Sequence, residues 1–589
     1  MGAADPKGAG EEALDIANSL GIDIRIVVVC EQTTANSDSP DTTTTTNTPT
    51  TTVYKKNSVN NSSQSKLVAI PSSNGFSVMD NSLNEEENEN WEIGCTYLGA
   101  DALIDALKLG ADLVIAGRVA DPSLFVAPIA YTFGWDLTKD FNLVAQATLA
   151  GHLLECGCHL TGGYFAHPLG RNTSFEKLAD LSLPFCDIDR NGNIVIGKIE
   201  GSGGELSERT CKQQLTYEIG DPKEYITPDV IVNFSQVEFV ELSENSVIAR
   251  GAKGYSRPKD LLRLLAKSAG YKSWAEVSYG GLGCVERAQW ASRLVHKWME
   301  DKKKGITKNM MTYLVGYNSL YLQHGSRFQI PPSSLPSTIP DGYDGANWSA
   351  SGYPPEVRLR FDGLFESRED AETLGMELQG LGLCGPAGGG GFAFGIRKDI
   401  RLVRHRVSKS NRGGTIKRTT NSSSRIALNN NNNNNSSSNT LQDFDKPFTT
   451  QNNHQIAYNI DKSWKNTVYS IIDTSRQSGR VLLYNIAHSR SGDKGDIANV
   501  SLIPYNPADY PRLQKVITPE WVMSVYKNLL KNESKVNIYQ LPGIKGFNIV
   551  LSYALDGGVC VSRRVDRHGK TLSDVILNQW IDLPPLSSL

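Results

Sequence analysis

Two stretches near the N-terminus, "IDIRIVVV" (22–29) and "ADLVIAGR" (111–118), constrain the fold more than any other feature, because each is an almost unbroken apolar run. A strand with one face in water alternates apolar and polar residues, whereas a run without alternation is covered on both faces. Each follows a segment of helical spacing closed by glycine, "EEALDIANSLG" and "GADALIDALKLG". Repeated helix-strand units of this kind predict an α/β N-terminal part with a mostly parallel sheet covered by helices. Ligands of such sheets bind at the carboxyl ends of the strands, so the loop after "ADLVIAGR" is the first place to look for chemistry.

Beyond about Pro184 the pattern changes. "NGNIVIGKIEG" reads as a hairpin turning at Asn-Gly, and "VIVNFSQVEFVEL" and "ENSVIARGAKG" as strands. "CVERAQWASRLVHKWMED" reads as an amphipathic helix with Val285, Ala288, Ala291, Leu294, Val295 and Trp298 on one side, and "EVRLRFDGLFESREDAETLGMELQGL" as strand then helix, so the domain continues as an α+β region. From about Arg480, two strands flank the polar loop Ser489 to Asp496. A helix, two strands and a last helix follow, which predicts a small α+β, ferredoxin-like C-terminal domain.

Two low-complexity insertions, 33–66 with "TTTTTNTPTTT" and 408–440 with "NNNNNNNSSS", hold too few apolar residues to offset the entropy of ordering and are predicted to be disordered. The first interrupts a domain spanning 1–407, and the second lies between it and a domain spanning 480–589. A net charge of −3 offers no general attraction to nucleic acid or to an anionic membrane. The N-terminus has no basic flank before an apolar core, and no apolar stretch reaches the ~18 residues of a membrane span. Nine scattered cysteines without a secretory signal read as free thiols in a reducing compartment, so the expected location is cytoplasmic, with neither nucleic acid nor membrane as partner.

Candidate chemistry begins in "AGRVADPSLF", where Arg118 and Asp121 leave the sheet. Arg118 can grip a carboxylate or phosphate and Asp121 can carry a proton; alternatively Asp121 caps the next helix and pairs with the arginine. In "GHLLECGCHLTGGYFAHPLG", His152 and Glu155 share a helix face as an acid/base candidate, against the alternative of a satisfied buried histidine. Cys156, Cys158, His159 and His167 lack the spacing of familiar zinc sites, so no metal is assigned. Gly201, Ser202, Gly203 and Gly204 run into a helix starting near Ser207, a junction that can hold an anion or merely turn the chain. Gly388–Gly391 reads as close packing. In "HSRSGDKGD", Gly492 and Gly495 can shape a backbone nest, with Arg490 and Lys494 adding charge; Asp493 and Asp496 pair with those cations or cap the loop.

Taken together, "YLGADALIDALKLGADLVIAGRVADPSL", "GHLLECG", "TGG", "EGSGGELS", "QQLTYEIGDPKEYITPDV" and "GCVERA" resemble the large N-terminal domain of the acyclic terpene utilisation family, AtuA. "AHSRSGDKGDIANVSLI" and "LPGIKGFNIVLSYALDGGVCVSRRVDRHGKTLS" resemble the ferredoxin-fold domain that many members carry at the C-terminus. Members usually begin with a further glycine-rich strand and helix-strand unit, so the resemblance implies a truncated reading frame or a form lacking part of the first sheet. His152 and Glu155 fall on the family pattern; Cys158 and His159 do not.

The resemblance implies a role in breaking down acyclic terpenes or related branched acids, beside acyl-CoA dehydrogenases and biotin-dependent carboxylases. The expected activity is a hydratase or lyase step on a branched acyl-CoA, with CoA as part of the substrate and no other cofactor identified. His152, Glu155, Asp121 and Asp493 are the expected proton carriers. Arg118, Gly201 to Gly204, Arg490, Gly492, Lys494, Gly495 and Asp496 are the expected substrate or anion contacts. Assembly as a homo-oligomer is a further expectation, and the contrasting one is a non-catalytic binding or scaffolding partner of the carboxylase or dehydrogenase.

Overall fold

A computed structural model describes residues 5–30, 52–54, 66–71, 76–77, 93–167, 175–281, 283–317, 319–320, 354, 356–409 and 479–586. Helix α1 (Pro6–Ser19) opens with proline in its first turn and Asp5 accepting from the Gly8 N–H at 2.9 Å, and the chain turns back at Gly21, φ 67°. β1 (Arg25–Cys30), β2 (Thr52–Tyr54), β3 (Lys66–Pro71) and β6 (Leu113–Ala116) form a sheet in the order β2-β3-β1-β6. In it β1 runs parallel to β3 and β6, while β2 is antiparallel to β3. β1 is central, and Ile26 to Val29 are fully buried. Among the described residues β6 has only β1 as a strand neighbour, and Leu113 is 37% exposed despite its apolar run. The insertion 33–66, expected to be disordered, holds β2 and the first residue of β3; its remainder lies outside the described residues.

Between these strands, β4 (Phe76–Ser77) and β5 (Ile93–Thr96) leave for another sheet, and α2 (Ala100–Lys108) closes at Gly110, φ 72°. Helices α3 (Ser123–Phe133), α4 (Phe141–Leu154) and α5 (Phe175–Ala179) follow. Next come β7 (Pro184–Ile188), β8 (Ile194–Lys198), α6 (Glu208–Leu215), β9 (Tyr225–Ile226), β10 (Ile231–Asn233), β11 (Glu238–Ser243), β12 (Ser246–Arg250) and β13 (Lys253–Gly254). These strands make two antiparallel sheets, β11-β12-β8-β7 and β13-β10-β9. The Asn191-Gly192 turn joins β7 to β8 as expected, whereas "VIVNFSQVEFVEL" is two strands parted by a turn in which Val237 N–H donates to Phe234 O.

A third sheet is built on β14 (Asp260–Gly280), with α7 (Cys284–Lys302), β15 (Met310–Val315), β16 (Glu356–Phe365), α8 (Arg368–Cys384) and β17 (Gly390–Lys409). The leucine- and alanine-rich start of β14 suits a helix; its strand state follows from antiparallel pairing with β17 from Asp260↔Ser408 to Ser278↔Gly390. Of the second insertion, Ser408 and Lys409 belong to β17 and the rest lies outside the described residues. Of Gly388 to Gly391, Gly389 is closely packed, since a Cβ there would stand 3.1 Å from the Tyr279 hydroxyl, whereas a Cβ on Gly390 would meet open space.

The C-terminal part comprises β18 (Gly479–Leu482), α9 (Leu483–Ile486), β19 (Ala487–His488), β20 (Ser491–Lys494), β21 (Ile497–Pro504), α10 (Tyr510–Val516), α11 (Pro519–Tyr526), β22 (Val536–Leu541), β23 (Gly546–Leu551), α12 (Leu572–Leu577) and β24 (Trp580–Leu583). The stretch read as an eight-residue polar loop is largely a hairpin, because Ser491 to Lys494 pair antiparallel with Ile497 to Val500. Alternation along β21 separates two environments. Ala498, Val500 and Leu502, with Phe547 and Ile549 of β23, meet Leu513, Val522 and Ile576 of the helices in one core.

The opposite face of this sheet docks on the N-terminal part. Ile503 joins that part's core, and two buried asparagines bind its backbone. Asn499 Nδ2 donates to Thr216 O (2.7 Å) and its Oδ1 accepts from Glu218 N–H (3.0 Å). Asn548 Nδ2 donates to Ile219 O (3.0 Å) and Gly220 O (2.7 Å), while its Oδ1 accepts from Asn499. Removing Asn548 strands these buried partners. Asn548→Ala should therefore lower urea stability by roughly 2–4 kcal/mol and raise amide exchange in 216–220; unchanged exchange there would refute this docking.

Candidate functional site

The docking forms a cavity of about 550 Å³ that is open to solvent on one side. Its walls come from the loop after β6, the segment 218–228, the β14/β17 ribbon, the β20–β21 hairpin and the turn 557–561. Asp229, fully buried, positions the first two by accepting from Ala100 N–H (2.7 Å) and Ser123 Oγ (2.5 Å), thereby tying the starts of α2 and α3 to the 218–228 segment.

On the N-terminal side Arg118 lies over the Tyr97 ring at 4.5 Å, and its Nη2 donates to the Tyr97 hydroxyl at 2.5 Å. Asp121 does not cap α3: Pro122 holds the N-cap position, without a side-chain hydrogen bond. Burial raises the Asp121 carboxyl above its ordinary range, and the neighbouring Glu155 charge raises it further, against Lys494 and Arg118. This is the environment of a carboxyl that keeps its proton to higher pH beside a second carboxyl.

His152 stands behind that pair, buried and outside the cavity lining. Its Nε2 meets Leu215 O at 3.1 Å; a carbonyl can only accept, so Nε2 carries the hydrogen. Nδ1 meets the Tyr225 hydroxyl at 3.2 Å and stands 3.5 Å from Glu155 Oε1. Burial holds Tyr225 well above the ordinary phenol range, so it remains a neutral donor.

The C-terminal domain supplies the facing charges. Lys494 Nζ binds Glu218 Oε2 at 2.6 Å, and Lys570 Nζ lies 3.6 Å from Glu218 Oε1 and 3.8 Å from Asp493 Oδ1. Burial alone would raise Glu218, yet Lys494, Tyr217 and Lys570 hold it below the ordinary glutamate value. Burial alone would likewise lower Lys494, but Glu218, followed by Glu155 and Asp121, carries it upward. Burial raises Asp493, with Lys570 opposing. Glu218 itself sits at φ 56°, a conformation costly for a side-chain-bearing residue and secured here by the Asn499 bond to its N–H.

The structure thus brings Arg118, Asp121, Glu155, Asp493, Lys494 and Gly495 to one cavity, from domains far apart in sequence. Others lie behind it. Arg490 is buried, 3.4 Å over the Tyr217 ring, with Nη1 donating to Gln214 Oε1 (2.6 Å) and Nη2 to His159 Nδ1 (2.5 Å). His159 accepts because burial, then Arg490 and Lys570, holds its pKa at about 4. Gly492 lies in β20, where a Cβ would stand 2.6 Å from the Tyr217 ring, and Asp496 Oδ1 accepts from Leu555 N–H at 2.9 Å.

Gly201 to Gly204 stand outside the cavity lining. Gly203 N–H donates to Asp180 O (2.8 Å), Ser202 Oγ donates to Ser182 Oγ (2.8 Å), and the start of α6 receives Glu241 Oε1 at the Glu208 N–H (3.1 Å). Among the described residues, no group of three or more histidine, cysteine, aspartate or glutamate side chains stands together as a metal site. Nor is any described helix long and apolar enough to cross a membrane.

The sequence reading missed Glu218, Tyr225, Arg404 and the Gly557–Cys560 turn as cavity residues. Asp-Gly-Gly at 556–558 was a legible signal, since Gly557 and Gly558 have φ of 89° and 97° and a Cβ on Gly558 would stand 3.0 Å from the Gly495 carbonyl carbon. Glu218, Tyr225 and Arg404 bore no local signal.

The chain matches the acyclic terpene utilisation family protein AtuA over residues 1–409 and the AtuA ferredoxin-like domain over residues 481–582. No curated protein and no solved structure matches it.

The Glu218–Lys494 pair should be visible in the pH dependence of stability. A lowered carboxylate and a raised ammonium contribute above an ordinary glutamate value of 4.5 and below an ordinary lysine value of 10.5, and the contribution is lost as pH passes their folded values on either side. With Lys494 53% exposed, Lys494→Met should cost only about 0.2–1 kcal/mol near neutrality. It should also move the acid-unfolding midpoint to higher pH; an unmoved midpoint would mean that Lys494 does not govern Glu218.

Proposed function

The chain belongs to the acyclic terpene utilisation family AtuA, a family implicated in terpene catabolism, and from that premise we propose that it adds or removes a small group on a branched acyl-CoA thioester, as a hydratase or lyase. The observation that carries this reading is the polarity of the cavity. Asp121, Glu155 and Lys494 meet in it, while Ile226, Leu261, Leu264 and Leu402 give an apolar wall suited to a branched chain.

Hydration of an unsaturated thioester illustrates the roles. Glu155 takes a proton from water as the water oxygen bonds to the β-carbon; the alkene electron pair shifts toward the carbonyl oxygen, beside Lys494; and the proton held by Asp121 passes to the α-carbon as the carbonyl re-forms. His152 acts as a positioning residue, since its Nε2 hydrogen bond to Leu215 turns Nδ1 toward Tyr225 and Glu155. The reverse sequence is an elimination and uses the same groups.

A melting scan against branched acyl-CoA thioesters, free CoA and the free acids tests the reading. Selective, saturating stabilisation by thioesters is expected. Glu155→Gln and Asp121→Asn should each retain that stabilisation while lowering turnover by roughly 10²–10⁴-fold. A flat response across the panel would overturn the enzyme reading in favour of a binding or scaffolding subunit.

A further inference from the structure

The β14/β17 ribbon carries a cationic feature that the acid/base groups do not use. On β17, Leu402 and Arg404 line the cavity, and on β14 so do Leu262 and Leu264. Arg404 pairs with Leu264 and Arg406 with Leu262, and the register is unbroken from Asp260↔Ser408 to Ser268↔Ile400. Side chains two residues apart on a strand share a face, so Arg406 stands on the cavity side, roughly 7 Å beyond Arg404 along the strand. Arg406 is exposed, and Leu262 beside it is 37% exposed.

The order of groups along this surface is informative. Arg404 abuts the hairpin that bears Lys494, since a Cβ on Gly495 would stand 2.8 Å from Arg404 Nη2. Tyr97 continues β5 beside Leu262, its N–H donating to Leu262 O at 2.8 Å, and Arg118 lies over its ring. Moving outward from Lys494, a ligand meets Arg404 beside Leu264, then Arg406 level with Leu262 and Tyr97, with Asp260 beyond. Guanidinium groups in fixed succession beside an apolar surface suit phosphates on a long flexible arm.

We propose that Arg404 and Arg406 form a phosphate track that holds the nucleotide end of coenzyme A, with the pantetheine arm crossing Leu262 and the thioester reaching Lys494. This rests on the acyl-thioester reading and deepens it by distinguishing a CoA ester from a free acid or a short thioester.

The test compares binding of one branched acyl-CoA and the same acyl group on pantetheine, by calorimetry, to the full-length wild type, Arg406→Glu and Arg401→Glu. Arg401 is also exposed on β17 but alternates to the opposite face, so it controls for net charge. Arg406→Glu is expected to weaken acyl-CoA binding by about tenfold or more while changing acyl-pantetheine binding by less than about twofold, and Arg401→Glu should leave both near wild type. Undiminished acyl-CoA binding in Arg406→Glu, or an equal loss in Arg401→Glu, would overturn the track. Equal wild-type affinity for the two thioesters would overturn it while leaving the acyl-thioester reading intact, and wild-type binding of neither would overturn both.

Discussion

The cavity depends on the hydrogen bonds that Asn499 and Asn548 make to the backbone of residues 216–220. Two amide side chains on neighbouring strands of the C-terminal sheet replace the strand partner or solvent that this segment would otherwise need. The pairing holds Glu218 at positive φ and delivers its carboxylate to Lys494. A sheet face made only of apolar residues could bury the same area without specifying which peptide meets which strand. Hydrogen bonds to backbone carbonyls specify the register, and through it the distance between carboxyls from one domain and ammonium groups from the other.

Burial and pairing act in opposition throughout the site. Desolvation raises Asp121 and Asp493, whereas Glu218, also buried, is drawn downward because Lys494 and Lys570 converge on it. Carboxyl groups in one cavity therefore differ in how readily they hold a proton, the condition for separate acid and base roles. His152 and His159 contrast in a related way. One is oriented by a carbonyl behind the carboxyl pair, and the other is kept neutral by burial next to Arg490, which it accepts as a donor.

Much of the candidate site was legible because its residues sit where local rules place ligands. Arg118 and Asp121 follow a strand that runs parallel to its neighbour, and Asp493, Lys494 and Gly495 form the end of a hairpin whose charge exceeds what a turn requires. The glycines at 201–204 carried the same kind of signal, yet Gly203 and Gly204 pack against protein: a Cβ on Gly203 would overlap the Lys177 carbonyl and one on Gly204 the Thr161 carbonyl. A glycine run marks close approach of some other group, and sequence alone does not distinguish protein from ligand.

The amino-acid sequence by itself determined the helix-strand alternation around β1, the α7 and α8 helices, the Asn-Gly hairpin and the family to which the two domains belong, since each follows from short-range periodicity, turn chemistry or joint motifs. Tertiary structure alone decided that the leucine-rich start of β14 is a strand, that Arg490 turns inward, and that Glu218, Tyr225 and Arg404 meet Asp121 and Lys494. The reason is range. Periodicity reports which face of an element is buried, whereas these outcomes depend on what is buried against it, supplied by chain hundreds of residues away.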